Sequence, residues 1–144
     1  METIVKTHVG AYGILIRNEK IALIKKARGG YKDKYDLPGG GIEHNETPIE
    51  TLHKEIMEEI GGTVVEEKLF DVASTNIKWQ MTEEKIEDLH HIGILYIITI
   101  QEENLKMEAD GLDSEGAVWL PIDKLEEKDL SPFACFALKK LNYK

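Results

Sequence analysis

Three glutamates, Glu55, Glu58 and Glu59, are the residues of this chain whose type and spacing best suit chemistry. Positions three and four residues apart lie on one face of an α-helix, so this spacing would bring the three carboxylates together. Each pair of like charges at these spacings costs a helix about 0.2–0.5 kcal/mol. Carboxylate oxygens are also the ligands that Mg²⁺ and Mn²⁺ prefer. The pattern therefore indicates either a divalent-metal site or a solvated acidic face.

The helix that would position these glutamates has sequence signals at both ends. Thr47 can cap its first turn, Pro48 suits the first helical position, and Glu50 completes a reciprocal capping box. Gly61 and the glycine after it supply a left-handed stop, so the pattern predicts a helix over residues 48–60. The acids fall in its last turns, where the helix dipole disfavours a carboxylate by about 0.3–1 kcal/mol. The helix itself gains nothing from them.

An apolar stripe on the same helix predicts which side faces the core. The stripe consists of Ile49, Leu52, Ile56, Met57 and Ile60. The glycine-rich turn 39–41 just before the helix can bring backbone groups close to a ligand or a metal.

The other segments predict a mixed α/β fold formed by a single domain, residues 1–144. Residues 4–16 and 21–24 have the pattern of a hairpin across a polar turn. Three further strands are predicted at residues 63–80, 89–100 and 117–120. A second helix is predicted to begin at Ser131 and Pro132. This order of strands and helices favours a mixed β-sheet between helices.

Composition narrows the functional classes. The 144 residues include 18 Lys and Arg against 27 Asp and Glu, a formal charge of −9, which argues against broad nucleic-acid binding and against binding to anionic membranes. The longest apolar run, residues 92–98, is shorter than the roughly 20 residues of a membrane helix. No secretory signal pattern is visible, and the only cysteine, Cys135, has no internal partner. We expect a cytoplasmic protein that does not span a membrane.

Residues 40–62 resemble the Nudix box, G-x5-E-x7-R-E-U-x-E-E-x-G-U, in which U is a bulky aliphatic residue. The matching positions are Gly40, Glu46, Glu55, Ile56, Glu58, Glu59 and Gly61. Two positions depart from the pattern, because Lys54 stands where the family has Arg and Gly62 replaces the last aliphatic residue. A looser resemblance extends from about Tyr12 to about Leu141.

The resemblance to the Nudix hydrolase family implies a Nudix-like α/β/α sandwich and a metal-dependent pyrophosphohydrolase. Such an enzyme cleaves a nucleoside diphosphate linked to another group, by attack of water at phosphorus. It also implies Mg²⁺, or Mn²⁺, as the cofactor and a small-molecule nucleotide as the substrate. The metal ligands implied are Glu55, Glu58 and Glu59, with a backbone carbonyl of Gly39 or Gly40. Homodimers are common in the family, and the formal charge of this chain does not exclude one.

The catalytic residues implied by the resemblance are Glu55, Glu58 and Lys54. Glu55 and Glu58 are the candidates for the general base, and an acid between residues 101 and 115 is the alternative. The family's Arg is usually taken to orient a neighbouring glutamate, and a lysine lacks its planar fork. The lysine therefore predicts slower hydrolysis. A nucleotide-binding or sensor module without turnover stays an alternative to the enzyme. A structural domain with an acidic surface helix is a third.

Three residues are candidate substrate contacts. Arg28 and Lys34 belong to a local basic stretch that can hold phosphates, and Trp79 can stack on a ring. The competing interpretations are solvated loop cations and an aromatic side chain packed at the edge of the core. The specific nucleotide is not indicated, although the small size favours a nucleoside triphosphate or a related nucleotide.

Overall fold

A computed structural model describes residues 1–101 and 114–144. In this part of the chain the elements are β1 (Glu2–Ile14), β2 (Ile16–Arg17), β3 (Lys20–Lys26), β4 (Tyr35–Asp36), β5 (Gly39–Gly41), α1 (Pro48–Ile60), β6 (Thr63–Gln80), β7 (Lys85–Gln101), β8 (Ser114–Pro121) and α2 (Pro132–Lys140). Within the same residues, no helix is long and apolar enough to cross a bilayer.

The larger sheet has the strand order β5-β1-β7-β6 and is mixed. The strands β1 and β7 run parallel over the whole of β1, while β5 pairs with β1, and β6 with β7, in antiparallel fashion. Because Gly10–Tyr12 pairs with Gly39–Gly41, the glycine-rich turn forms an edge strand directly beside β1.

The smaller sheet is centred on β3. This strand pairs in antiparallel fashion with β2, β4 and β8. Its pairing with β4 places Ile24 opposite Asp36, just before the glycine-rich strand β5. The second sheet therefore holds the chain that leads into the turn in front of α1.

Two hydrophobic clusters attach one helix to each side of the sheets. In one cluster, Leu52 and Ile56 of α1 pack with Ile98 and other residues of β7. In the other, Phe133 and Leu138 of α2 pack with residues of β1, β3 and β7. The predicted fold, a mixed sheet between helices, is confirmed.

The helix α1 has the predicted bounds, Pro48–Ile60, and the predicted capping box. The hydroxyl of Thr47 accepts a hydrogen bond from the Glu50 amide at 3.1 Å, and the Glu50 carboxylate accepts one from the Thr47 amide at 3.0 Å. At the other end, Gly61 adopts the left-handed conformation with φ 79°. Local capping interactions therefore set both ends of this helix.

The predicted apolar stripe of α1 is wrong at two positions. Ile49 and Met57 are 43% and 46% exposed, while Leu52 and Ile56 are fully buried. Thr51 is buried as well, and its hydroxyl donates a hydrogen bond to Glu46 at 2.7 Å. The helix therefore packs along a narrower face than the periodicity indicates.

The predicted hairpin of residues 4–16 and 21–24 is much smaller than expected. Only Ile16 and Arg17 pair back onto the start of β3. The rest of the first apolar segment, β1, pairs with β7 and β5 instead. The strand β7 also begins at Lys85, four residues before the predicted start. Alternation of apolar residues indicates a strand but does not identify a distant partner.

Candidate active site

The acidic half of α1 and the strand β5 line a cavity of about 680 Å³. The strand β1, the end of β3 with the chain that follows it, and β7 contribute the other lining residues. The lining residues include Glu55, Glu58, Glu59, Gly39, Gly40, Gly41, Asp36, Lys26, Arg28, Tyr12, Tyr31, His8 and His91. The three glutamates and two glycines that the sequence indicates as a metal site therefore meet in one cavity.

Glu59 is tied to the glycine-rich strand. Its Oε1 accepts a hydrogen bond from the Gly39 amide at 2.7 Å, which joins the last turn of α1 to β5. Burial raises the pKa of Glu59 to about 8, and the Gly39 hydrogen bond acts in the opposite direction. A buried carboxylate of this kind is favoured in its charged form by a nearby cation.

Glu55 lies against the same strand because Gly40 has no side chain. A Cβ at position 40 would lie 2.7 Å from the carboxyl carbon of Glu55 and 2.9 Å from its Oε1. The third acid, Glu58, is exposed and lines the same cavity. The carboxylate of Glu55 and the backbone of β5 therefore lie in direct contact.

The donor set suits a hard divalent cation. Carboxylates and backbone carbonyls are oxygen ligands, and Mg²⁺ usually takes few of them, completing its shell with waters and substrate phosphates. Over residues 1–101 and 114–144, no three acidic, histidine or cysteine side chains are grouped closely enough to hold an ion by themselves. The residues present fit a metal that is shared with a phosphate ligand better than a closed protein cage.

Lys54 forms an ion pair with Glu46, which lies on the turn before α1. The Lys54 Nζ donates to Glu46 Oε2 at 2.7 Å, and Glu46 Oε1 accepts hydrogen bonds from the Thr51 hydroxyl and the Glu43 amide. The hydrogen bond from Lys54, followed by those from Thr51 and Glu43, lowers the pKa of Glu46 to about 2. Lys54 thus fastens the turn that follows β5 to the middle of the helix.

Substitutions at Lys54 are expected to change turnover modestly. Lys54→Met removes the cation from Glu46 and should lower kcat by less than about tenfold, because partly exposed ion pairs contribute little. Lys54→Arg keeps the charge and adds a planar fork, so wild-type or faster turnover is expected. Steady-state kinetics of both variants test this. A loss in Lys54→Met beyond a hundredfold would instead put Lys54 in contact with the reacting groups.

His91 is a buried residue of the cavity wall that the sequence pattern does not single out. Its Nε2 is hydrogen-bonded to the Tyr12 hydroxyl at 2.7 Å and its Nδ1 to the Tyr31 hydroxyl at 2.8 Å. Burial, with smaller contributions from the charges of His8 and Lys26, lowers the pKa of His91 to about 4. A neutral imidazole therefore links β1, β7 and the chain between β3 and β4.

Asp36 is a second lining residue that sequence reasoning missed. It is buried, and its Oδ1 accepts hydrogen bonds from the Ser131 hydroxyl at 2.6 Å and from the Leu37 amide at 2.8 Å. Burial raises its pKa. The sequence offers only a weak signal for it, namely an acid directly before the Leu-Pro-Gly-Gly turn.

The candidate substrate contacts separate into two groups. Arg28 lines the acidic cavity and also a second cavity of about 570 Å³, which Trp79 lines as well. Lys34 lines neither of these two cavities, and its Nζ donates to the carbonyl of Lys128 at 2.9 Å. The structure therefore brings Arg28 and Trp79, but not Lys34, to a common site.

The alternative general bases between residues 101 and 115 lie mostly outside the described residues. This applies to Glu102, Glu103, Glu108, Asp110 and Asp113.

Known proteins resemble this chain in sequence and in fold. A family model described as "NUDIX domain" matches residues 6–136. An RNA pyrophosphohydrolase from Saccharophagus degradans is 28% identical over 76 residues, which are 53% of this chain and 45% of that protein. An ADP-ribose pyrophosphatase from Methanocaldococcus jannaschii is 31% identical over 107 residues, 74% of this chain and 59% of that protein. Both matches span less than two thirds of the relative's length.

A solved structure shares the fold over nearly the whole chain. The crystal structure of a MutT NUDIX hydrolase from Burkholderia pseudomallei aligns with a TM-score of 0.74 at 23% sequence identity. The alignment covers 94% of this chain and 98% of the other.

Proposed function

The chain belongs to the Nudix hydrolase family, and from that premise we propose that it is a metal-dependent pyrophosphohydrolase. Its substrate is a nucleoside diphosphate linked to another group, such as a nucleoside triphosphate or a related nucleotide. The observation that carries the proposal is the meeting of Glu55, Glu58 and Glu59 with the backbone of β5 in one cavity. A homodimer and a cytoplasmic location stay predictions from the sequence.

The residues that would hold the metal are Glu55, Glu58 and Glu59, with a carbonyl oxygen of Gly39 or Gly40. Nudix hydrolases use divalent cations, and Mg²⁺ or Mn²⁺ suits these oxygen donors. When bound, such a cation neutralises the charge of the diphosphate and makes water a stronger acid. The contact between Glu59 and the Gly39 amide holds the helix and β5 together, so that the donors stay in place.

Glu55 or Glu58 accepts the proton of the attacking water. As that proton leaves, the water oxygen forms a bond to phosphorus, and the bridging oxygen departs with the electrons of the bond that breaks. Glu59 is less suited to this role, because one of its carboxylate oxygens already accepts the Gly39 hydrogen bond.

Two cations of the same cavity bind the phosphates. Lys26 and Arg28 line the cavity together with the glutamates, and a guanidinium can hold two phosphate oxygens at once. Trp79 contributes a ring surface in the adjoining cavity. Lys34, which bonds the carbonyl of Lys128, is not needed in this arrangement.

An assay with a substrate panel tests the proposal. The protein is incubated with nucleoside triphosphates, nucleotide sugars, ADP-ribose and dinucleoside polyphosphates, with Mg²⁺ and with a chelator. Release of a nucleoside monophosphate that requires Mg²⁺ is expected. Binding without turnover would instead favour the sensor module, for which the lysine at position 54 is the motivating feature. Neither binding nor turnover would favour a structural domain with an acidic surface.

A further inference from the structure

The turn that leads into β5 is anchored to three different elements. The Gly13 amide of β1 donates a hydrogen bond to the Pro38 carbonyl at 2.8 Å, and the Gly39 amide donates one to Glu59 of α1 at 2.7 Å. The third element is α2, which contacts the residues just before this turn. Among the described residues, α2 contributes none to the lining of the acidic cavity. The position of β5 beside the glutamates therefore depends on a helix outside that cavity.

The contact between α2 and this turn is made by Ser131 and Asp36. Ser131 is the N-cap of α2, and its amide donates a hydrogen bond to the Tyr35 carbonyl at 2.8 Å. Its hydroxyl donates to Asp36 Oδ1 at 2.6 Å, and the same oxygen accepts the Leu37 amide at 2.8 Å. Asp36 is only 4% exposed and Ser131 is fully buried, so little water competes for these bonds. One carboxylate oxygen therefore joins the turn to the first residues of α2.

The surroundings of Asp36 offset the cost of burying an acid. Burial raises the pKa of Asp36, while the Ser131 hydrogen bond and the charge of Lys26 act in the opposite direction. The N-terminus of α2 also favours an anion, because the helix dipole is positive there. An apolar residue at position 36 would avoid the burial cost but could accept neither hydrogen bond. The contacts of Oδ1 therefore account for an acid at this position.

The first turn of α2 is itself held in place by an aromatic contact. The Phe133 ring packs against His91, with ring centroids 4.5 Å apart, and against Tyr12, with centroids 5.5 Å apart. A Cβ at Gly93 would lie 2.6 Å from Phe133 Cε2, so the ring lies directly on the backbone of β7. Because Ser131 is two residues before Phe133, the anchor of the turn is fixed to the sheet.

We infer that Asp36 and Ser131 are a pair of positioning residues, which hold the turn so that the Gly39 amide meets Glu59 and β5 stays beside the acidic half of α1. Both act through β5 and not on the reacting atoms. A displacement of about 1 Å in a catalytic group can lower a rate about a hundredfold, so loss of the pair should reduce turnover more than substrate affinity. The effect on turnover rests on the proposed function; the placement of Gly39 does not.

Amide hydrogen exchange, measured by NMR in a chelator and without substrate, tests the placement of Gly39 directly. Asp36→Ala removes the acceptor that joins the turn to α2, so the bond from Gly39 to Glu59 should open more often. The Gly39 amide is expected to exchange at least tenfold faster than in the wild type. The Gly61 amide is the internal control, because it is bonded to carbonyls of α1 at the other end of the helix stop. Its exchange rate should stay unchanged.

Steady-state kinetics of the pair test its effect on turnover. Asp36→Ala should lower kcat at least tenfold and change KM less than threefold. Ser131→Ala is milder, because Leu37 keeps its acceptor, and should lower kcat at least threefold. The double variant should be no slower than Asp36→Ala, because the two residues act as a unit. Asp36→Asn keeps an oxygen that can accept both hydrogen bonds, so it should rescue kcat to at least a third of the wild-type value and restore slow exchange at Gly39.

Leu138→Ala controls for a general loss of stability. Leu138 is fully buried on α2 and belongs to the same hydrophobic cluster as Phe133. Its truncation leaves a cavity and should lower the melting temperature, but it retains the hydrogen bond between Ser131 and Asp36. At a temperature well below both melting transitions, this variant should keep the wild-type kcat and the wild-type exchange rate of Gly39.

Three results would overturn the inference. They are an unchanged Gly39 exchange rate in Asp36→Ala, equal effects of Leu138→Ala and Asp36→Ala, and an Asp36→Asn variant as slow as Asp36→Ala, which would assign the effect to the charge itself. Metal-dependent hydrolysis together with any of these results would leave the proposed function standing. Conversely, faster exchange of Gly39 in Asp36→Ala, in a protein that hydrolyses no member of the substrate panel, would support the placement of β5 by the pair and contradict the proposed function.

Discussion

Replacing Glu58 by glutamine is expected to lower kcat at least tenfold while leaving the melting temperature unchanged. Glu58 is exposed and lines the acidic cavity, so the substitution removes no core packing. The amide neither accepts a proton at neutral pH nor supplies the negative charge that a divalent cation needs. A tenfold loss corresponds to about 1.4 kcal/mol of transition-state stabilisation. Steady-state kinetics at saturating Mg²⁺ and a thermal melt provide the two measurements.

The same chemical change at an unrelated acid is the control. Glu66→Gln alters an exposed residue of β6 and should retain the wild-type kcat. A wild-type rate in Glu58→Gln would remove Glu58 from the active site. A lower melting temperature in that variant would assign the loss of activity to the fold rather than to chemistry.

Replacing Gly39 by alanine is expected to lower the free energy of unfolding by about 2–4 kcal/mol and to remove most of the activity. Gly39 has φ +146°, a conformation that L side chains rarely adopt. The added methyl group would overlap the Ala11 carbonyl oxygen and lie 2.7 Å from the Tyr12 Cα. The strand β5 would have to move away from β1, which also breaks the hydrogen bond from the Gly39 amide to Glu59.

Gly29→Ala isolates the contribution of the close approach. Gly29 also has a positive φ, +90°, but a Cβ there would meet no atom within 4 Å. Gly29→Ala should therefore lower the free energy of unfolding only by the backbone strain, about 1–2 kcal/mol. Urea denaturation of both variants gives the comparison. Equal losses of stability would show that strain, and not the contact with β1, dominates at position 39.

The parts of the fold that were predictable are those set by local interactions. The bounds of α1 follow from Thr47, Pro48 and Gly61, which act within one turn of the helix end that each of them forms. The partner of β1 was not predictable in the same way. The partner of β1 is β7, whose residues follow about 80 positions later in the sequence. Alternating apolar residues predict a strand, but they do not indicate which distant strand it pairs with.

The candidate site also has a part that local sequence predicts and a part that depends on distant contacts. The grouping of Glu55, Glu58 and Glu59 follows from helical spacing, and the nearby glycine-rich turn follows from its position just before the helix. The wall around His91 depends on contacts with Tyr12 and Tyr31, which are 79 and 60 residues away in sequence. Whether the glutamates bind metal remains a prediction.

The hydrogen bonds of His91 couple the two hydroxyl groups that flank it. A neutral imidazole carries a single ring proton, so one of its nitrogens donates and the other accepts. If the Tyr12 hydroxyl donates a hydrogen bond to Nε2, then Nδ1–H donates one to the Tyr31 hydroxyl oxygen, and the proton of the Tyr31 hydroxyl is directed elsewhere. The other tautomer reverses both directions. Because Tyr31 lines both cavities and Tyr12 lines the acidic one, a ligand oxygen that selects one hydroxyl as its donor also determines the polarity that the other presents.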